Sequence, residues 1–226
     1  ISDEARLVAH WAVGLAAREL NLLGEAEGHL RRAIEIGLRI ADDRRTAQVT
    51  SALVAIVTSR GRADEALTIA DGISGLREPS ELADLEMKRA LALEQLGRLD
   101  EAVLAYTNAL VVVATGDDRV LEARLRTNRA IVLAYRGDTD HALGDLEIAE
   151  RLAVEHRQFF LAGGAAHNHG FTAGRRGDIV TALDSFDRAE RLYAEVGFPG
   201  RCRGVLAADR CEVMMVAGLH GEARTA

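Results

Sequence analysis

The sequence predicts an all-α fold, a right-handed α-α superhelix of about five and a half stacked helical hairpins. Three observations lead there. Glycines recur at near-constant intervals, at Gly24, Gly61, Gly97, Gly137, Gly177 and Gly218, with separations of 37, 36, 40, 40 and 41 residues. Fixed offsets after them carry small and large apolar residues in alternation. Ala, Leu, Arg and Glu dominate, and there are only 2 prolines, so most of the chain loses little side-chain freedom in a helix. Aromatics at 4% leave too few strand-forming side chains for a sandwich or barrel.

The repeat is legible as text. Gly61-Arg-Ala-Asp-Glu-Ala66-Leu67 matches Gly97-Arg-Leu-Asp-Glu-Ala102-Val103. Gly137-Asp-Thr-Asp-His-Ala142-Leu143 and Gly177-Asp-Ile-Val-Thr-Ala182-Leu183 follow the same plan. Ala stands five residues after every glycine but the first. Nine residues after come Tyr106, Leu146 and Phe186, and twelve after come Ala109, Ala149 and Ala189. Offsets of three, four and seven share one helical face. The small residues let two helix axes approach, and the large one fills the groove beside them. Glycine itself suits the left-handed turn between the two helices.

First helices are expected near 3–23, 44–60, 80–96, 118–136, 157–176 and 201–217. Second helices are expected near 25–41, 62–74, 98–115, 138–155, 178–196 and from 219 to the end. The hairpins are thus approximately 3–41, 44–75, 80–115, 118–155, 157–196 and an incomplete 201–226, in a single array over 1–226. The first copy reads as degenerate, with His29 where the others carry Ala. Weak links are expected at Asp71-Gly-Ile-Ser-Gly75 and Thr115-Gly-Asp-Asp118. Pro79 and Pro199 fall where one copy hands over to the next. Ala226 lies eight residues past Gly218, inside the expected last helix. The chain is therefore expected to be cut from a longer protein, with an unfinished edge exposing Val213, Met214 and Val216 for possible homodimer formation.

Seven residues before the glycine stands a small residue in Ala17, Ala90, Ala130 and Gly170, and four before it stand Leu20, Val57, Leu93, Leu133 and Met214. With the offsets above, these marks resemble the tetratricopeptide repeat, at 36–41 residues per copy instead of about 34. Three longer stretches resemble more. They are Glu122-Ala-Arg-Leu-Arg-Thr-Asn-Arg-Ala-Ile-Val-Leu-Ala-Tyr-Arg-Gly137, then His167-Asn-His-Gly-Phe171 through Phe186-Asp-Arg-Ala-Glu190, then Leu192-Tyr through Asp209-Arg-Cys-Glu-Val213. Together they are similar to the repeat region ahead of CHAT (caspase-like peptidase) domains in actinobacterial proteins. That resemblance implies an array that recognises a partner and restrains or directs a C-terminal protease-like domain beyond Ala226. Similar arrays also follow nucleotide-switch domains in bacterial transcription regulators.

The net charge of −7 gives no general attraction for phosphate backbones, so nucleic acid is not an expected partner. Apolar runs such as 110–114 are too short to span a bilayer. The 2 cysteines do not make a disulfide framework, and a reducing cytoplasm is the expected compartment. Cys202 and Cys211 stand nine apart on one expected helix, roughly 13 Å along its axis, too far for a disulfide. His167 and His169 point about 200° apart on a helix and cannot hold one metal together. His169 takes a slot that is usually Leu and should be packed and hydrogen-bonded, whereas His167 should face the groove. Trp11 reads as a core or capping aromatic. No P-loop or HExxH is present, and Leu161-Ala-Gly-Gly-Ala165 lacks the strand that a dinucleotide site requires. No cofactor, metal or catalytic residue is expected.

The candidate binding residues lie on the inner wall, formed by the first helices. Asn128 and Asn168 stand nine residues before Gly137 and Gly177, in register. An amide offers donors and an acceptor together; it can hold a ligand backbone there or bridge neighbouring helices. By the tetratricopeptide resemblance, an Asn at this place holds a peptide. Arg124, Thr127, Tyr135, His167, Phe171 and Arg175 fall on or beside the same wall by offset, and Arg124 and Arg175 could pair with carboxylates. The expected function is a protein-interaction scaffold for a peptide or protein partner, or for the chain's own C-terminal domain.

Overall fold

The structure, a computed structural model, describes residues 2–197 and 200–219, the Arg201 side chain excepted. The helix expected from 219 onward, Pro199 and Ala223 lie outside the described residues. Within them every regular element is helical: α1 Asp3–Glu19, α2 Leu23–Arg39, α3 Asp43–Ser59, α4 Ala63–Asp71, α5 Pro79–Gln95, α6 Leu99–Val113, α7 Arg119–Tyr135, α8 Thr139–Glu155, α9 Phe159–Arg176, α10 Ile179–Ala194 and α11 Gly200–Val216. They form two compact units that divide between Gly116 and Asp117, inside the link marked as weak by its Gly-Asp-Asp sequence.

In the first unit, α1/α2, α3/α4 and α5/α6 are hairpins, and the first helices α1, α3 and α5 pack in sequence. In the second unit, α7/α8 and α9/α10 are hairpins, and α9 packs on both α7 and α11. The turns share one backbone device. After α3, the Gly61 N–H donates to Thr58 O while the Arg62 N–H reaches back to Val57 O, and the same pair of bonds recurs after α5, α7 and α9. Two otherwise unpaired carbonyls are satisfied this way at each helix end. The central residue must be left-handed, and Gly61, Gly97, Gly137 and Gly177 have φ between 71° and 86°.

The first hairpin departs from the expected register. Its helix ends at Glu19, and the left-handed residue is Asn21, at φ 59°, with Asn21 N–H on Arg18 O and Leu22 N–H on Ala17 O. Asn tolerates this conformation better than most side chains, so glycine is not required. Gly24 lies inside α2. Counted from Asn21, the next turn is 40 residues away, and Ala26, Leu30 and Ala33 occupy offsets five, nine and twelve. All three are completely buried. The copy is complete, and His29 lies off its packing face.

That register exposes how each hairpin closes. The residue seven before the turn meets the residue nine after it. A Cβ added to Gly14 would come within 2.9 Å of Leu30, and one added to Gly170 within 2.7 Å of the Phe186 ring and 2.9 Å of Ala182 O. Small opposes large at Ala90 and Tyr106, and at Ala130 and Leu146. In the second hairpin the sizes are exchanged, with Val54 seven before and Ala70 nine after, and both are buried. The short α4 is the other irregularity. It ends at Asp71, and the chain reaches α5 through Gly75 at φ 101°. Pro79 then takes the first helical position, where its missing N–H costs nothing, and Glu81 accepts the N–H groups of Arg77 and Glu78.

Buried ion pairs supplement the apolar contacts. Asp145 on α8 is 4% exposed and held by Arg126 at 3.0 Å and Arg129 at 2.7 Å, both on α7. Val213 and Met214, expected at an exposed edge, are buried at 7% and 9%. The reason is α11: Val213 fills the notch at Gly174, where a Cβ would lie 2.4 Å from it. Val216 is 75% exposed. Trp11 packs partly buried against the core of the first unit, as a core aromatic should. Both cysteines are free.

Two substitutions separate the roles of glycine. Gly24→Ala should stabilise the chain by about 0.5–1 kcal/mol, since the position is helical with open space around it. Gly170→Ala should destabilise by about 1–3 kcal/mol despite the same propensity gain, because its Cβ meets a backbone oxygen. Urea denaturation followed by circular dichroism checks both; a destabilised Gly24→Ala would return the first turn to Gly24.

Candidate functional site

Once the packing positions are filled, the first helices of the second unit retain one face that no second helix covers. On α7 and α9 this face carries the residues nine, six and two before the turn glycine. They are Asn128, Ile131 and Tyr135 on α7, and Asn168, Phe171 and Arg175 on α9. Offsets of three and four keep each set on one stripe.

A cleft of about 200 Å³ opens there, lined by Ile131, Ala134, Tyr135, Asn168, Phe171, Thr172 and Asp209. Its centre is apolar and aromatic. One turn beyond Phe171 on α9, outside the cleft lining itself, the Arg175 guanidinium lies 6.0 Å from the Tyr135 ring centroid and 5.8 Å from that of Phe171, within cation–π range of both. Tyr135 is 63% exposed. The amides of Asn128 and Asn168 are half-buried, and neither side chain makes a hydrogen bond with the described residues. The helix-bridging alternative for these two amides therefore has no bonded partner among the described residues.

The other expected residues fall in different places. Arg124 is exposed on α7. Neither it nor Arg175 has a carboxylate partner among the described residues, in contrast to Arg126 and Arg129 on Asp145 and Arg176 on Asp140. Thr127 does not join the cleft. It is 6% exposed, and its hydroxyl donates to Ala123 O in the preceding turn, at 2.9 Å. His167 was expected on the groove and is instead 8% exposed. Packing of α11 across α9 covers it, its Nε2 lies 2.7 Å from Asp209 Oδ2, and its ring meets Phe186 edge-on. His169 is buried with Nδ1 2.9 Å from Ser185 Oγ, as its place in a leucine slot implies.

Asp209 is the residue that sequence reasoning missed. The signal was present, because Asp209 lies nine residues before Gly218, in register with Asn128 and Asn168. It was obscured by reading the last hairpin only as an unfinished edge.

No protein-family model matches the chain, and no curated protein matches its sequence. Solved structures do match in shape. A Rap protein complexed with Competence and Sporulation Factor superposes with TM-score 0.76 at 15% identity, over 100% of this chain and 74% of that one. The nearly identical TPR-like repeats of a putative kinesin light chain from Podosopora anserina give 0.68 at 15% identity, over 88% of this chain and 100% of theirs. YrrB, a TPR protein with an unusual peptide-binding site, gives 0.52 at 17% identity, over 81% of this chain and 84% of its own. The fold is that of a tetratricopeptide-type helical solenoid. Among the described residues no helix is long and apolar enough to cross a membrane.

The tetratricopeptide-type core also holds a pH-sensitive group next to this wall. Burial, with Arg188 adding to it, pushes the His169 imidazole below its ordinary value of 6.5. The unfolded chain then binds more protons than the folded one as pH falls through about 6.5. His169 thus withdraws stability on acidification, whereas above that value it contributes none of this loss. The midpoint of urea unfolding should therefore drop between pH 7.5 and 5.5. His169→Gln, less stable at neutral pH, should show a shallower drop, and an unchanged slope would remove His169 as the source.

Proposed function

We propose that this chain is a protein-interaction scaffold that binds a peptide segment along the inner wall of its second unit. The observation that carries the reading is the pair of in-register amides, Asn128 and Asn168, without hydrogen-bond partners among the described residues. The second of them lines a cleft floored by Phe171 and Ile131. An extended backbone presents carbonyl and N–H groups in alternation, which an amide can meet from both sides, while an apolar side chain seats against Phe171 and Ile131. Peptide binding by YrrB, a protein of the same fold, supports the reading by analogy of fold alone.

The resemblance to repeat regions ahead of CHAT domains supplies the finer proposal. Occupation of the wall would be the input that restrains or releases a caspase-like domain in a longer polypeptide. The chain itself acts by binding, and hydrolysis would belong to that domain.

An Asn128→Ala, Asn168→Ala double variant tests the site. Against a peptide captured by the wild-type chain, affinity should fall on the order of 30-fold, about 1 kcal/mol for each lost hydrogen bond. The thermal midpoint should hold within a degree or two, because neither amide supports the fold. Undiminished affinity in fluorescence anisotropy would move binding to another face.

A further inference from the structure

The register that aligns Asn128 with Asn168 places a different chemistry on the third first helix. At the same position α11 carries Asp209, which lines the cleft together with Asn168. One carboxylate oxygen, Oδ2, is taken by His167 Nε2. Oδ1 has no partner among the described residues. The neighbouring Arg210 does not neutralise it, because that guanidinium is engaged by Asp187 at 2.5 Å and Glu190 at 3.9 Å. Beyond the aromatic residues, the Arg175 guanidinium lies 6.0 Å from the Tyr135 ring centroid and 5.8 Å from that of Phe171 and has no carboxylate partner among the described residues. Its N–H groups make no hydrogen bond with the described residues, which leaves them available for a two-point contact with a carboxylate.

The cleft is thus electrically bipolar, with an aromatic middle. Arg175 is seven residues beyond Asn168 on α9, roughly 10 Å along the axis, which sets the axial offset between Arg175 and the register position that Asn168 shares with Asp209. An extended peptide advances about 3.3 Å per residue. On the peptide-binding reading of this wall, on which it rests, we infer that the cleft selects a segment of mixed charge. A Lys or Arg of that segment meets Asp209, an apolar side chain sits against Phe171 and Ile131, and an Asp or Glu meets Arg175. The two charged residues stand roughly two to four apart. Opposed charges at the two ends also fix the direction in which the segment lies, because the reversed orientation places like charges together.

A phage-displayed library of random dodecapeptides, selected against the 226-residue chain and two variants, tests this. Arg175→Glu reverses one end at an exposed position. Asp209→Asn removes the charge at the other while keeping an oxygen acceptor for His167. The wild-type chain should enrich sequences with the basic, apolar and acidic residues at that spacing. Arg175→Glu should exchange the acidic preference for a basic one. Asp209→Asn should lose the basic preference, with resynthesised wild-type peptides weakened on the order of tenfold. Enriched peptides that need Asn168 and Phe171 but keep the same charges on all three targets would overturn the bipolar selection and leave peptide binding standing. Failure to enrich any peptide on a chain with intact helical circular dichroism would overturn both.

Discussion

The size match between the two helices of a hairpin is the constraint on which the rest of this structure depends. The residue seven before the turn and the residue nine after it compete for one volume. Gly14 makes room for Leu30, and Gly170 for Phe186, with a backbone oxygen close behind in each case. A fully buried Leu or Phe contributes about 1.5–3 kcal/mol, so the large partner stabilises the hairpin only where the small one lets the axes approach. At Val54 and Ala70 the larger residue stands on the first helix instead, so a small residue on one side is kept while the side that carries it is free to change. Fixing this contact fixes the rotation of each helix, and that rotation decides which side chains are left for the inner wall.

The turn is the second constraint, and it explains what the sequence made legible. Five glycine turns, at Gly61, Gly97, Gly137, Gly177 and Gly218, repeat one pair of backbone bonds, and the left-handed residue they need is readable wherever it is glycine. Helix bounds from α3 to α10 therefore lay within a few residues of the glycine-based expectation. The same reasoning slipped at the first copy, because Asn21 meets the need without being glycine and Gly24, an exposed helical residue, imitated the signal. Ala26, Leu30 and Ala33 carried the true register all along. The offsets five, nine and twelve are set by packing, and they are a firmer anchor than the glycine.

The binding wall was legible to the degree that it follows register. Asn168, Tyr135, Phe171 and Arg175 converge as their offsets imply, because residues two, six and nine before the turn must share a stripe. His167 and Thr127 stand ten before their glycines, one step off that stripe. For Thr127 the position turns the hydroxyl to its own helix. For His167 the deciding partner lies on another helix 42 residues away, and a single-copy pattern does not show whether α11 will cover it. Asp209 required the opposite step, carrying the amide register one hairpin further and accepting a change of side-chain chemistry there.

The position nine before the turn also accounts for why the candidate site lies in the second unit. In the first unit its occupants are Ala12, counted from Asn21, then Ala52 and Lys88. The alanines offer no polar group. Lys88 is 13% exposed at its side chain and already engaged by Asp84 and by Ser51 Oγ at 2.9 Å. Nearby, Gln48 donates to Glu81 at 2.6 Å, while Glu81 caps α5. Gln48, Ser51, Glu81, Asp84 and Lys88 are therefore committed to one another, and a ligand meeting them would have to replace bonds already made, gaining little. In the second unit the equivalent amides are uncommitted, Asp209 is half-engaged and Arg175 has no carboxylate partner among the described residues. A ligand there exchanges bonds to water without breaking any between side chains, which is the energetic difference between a wall that closes a fold and a wall that can receive a partner.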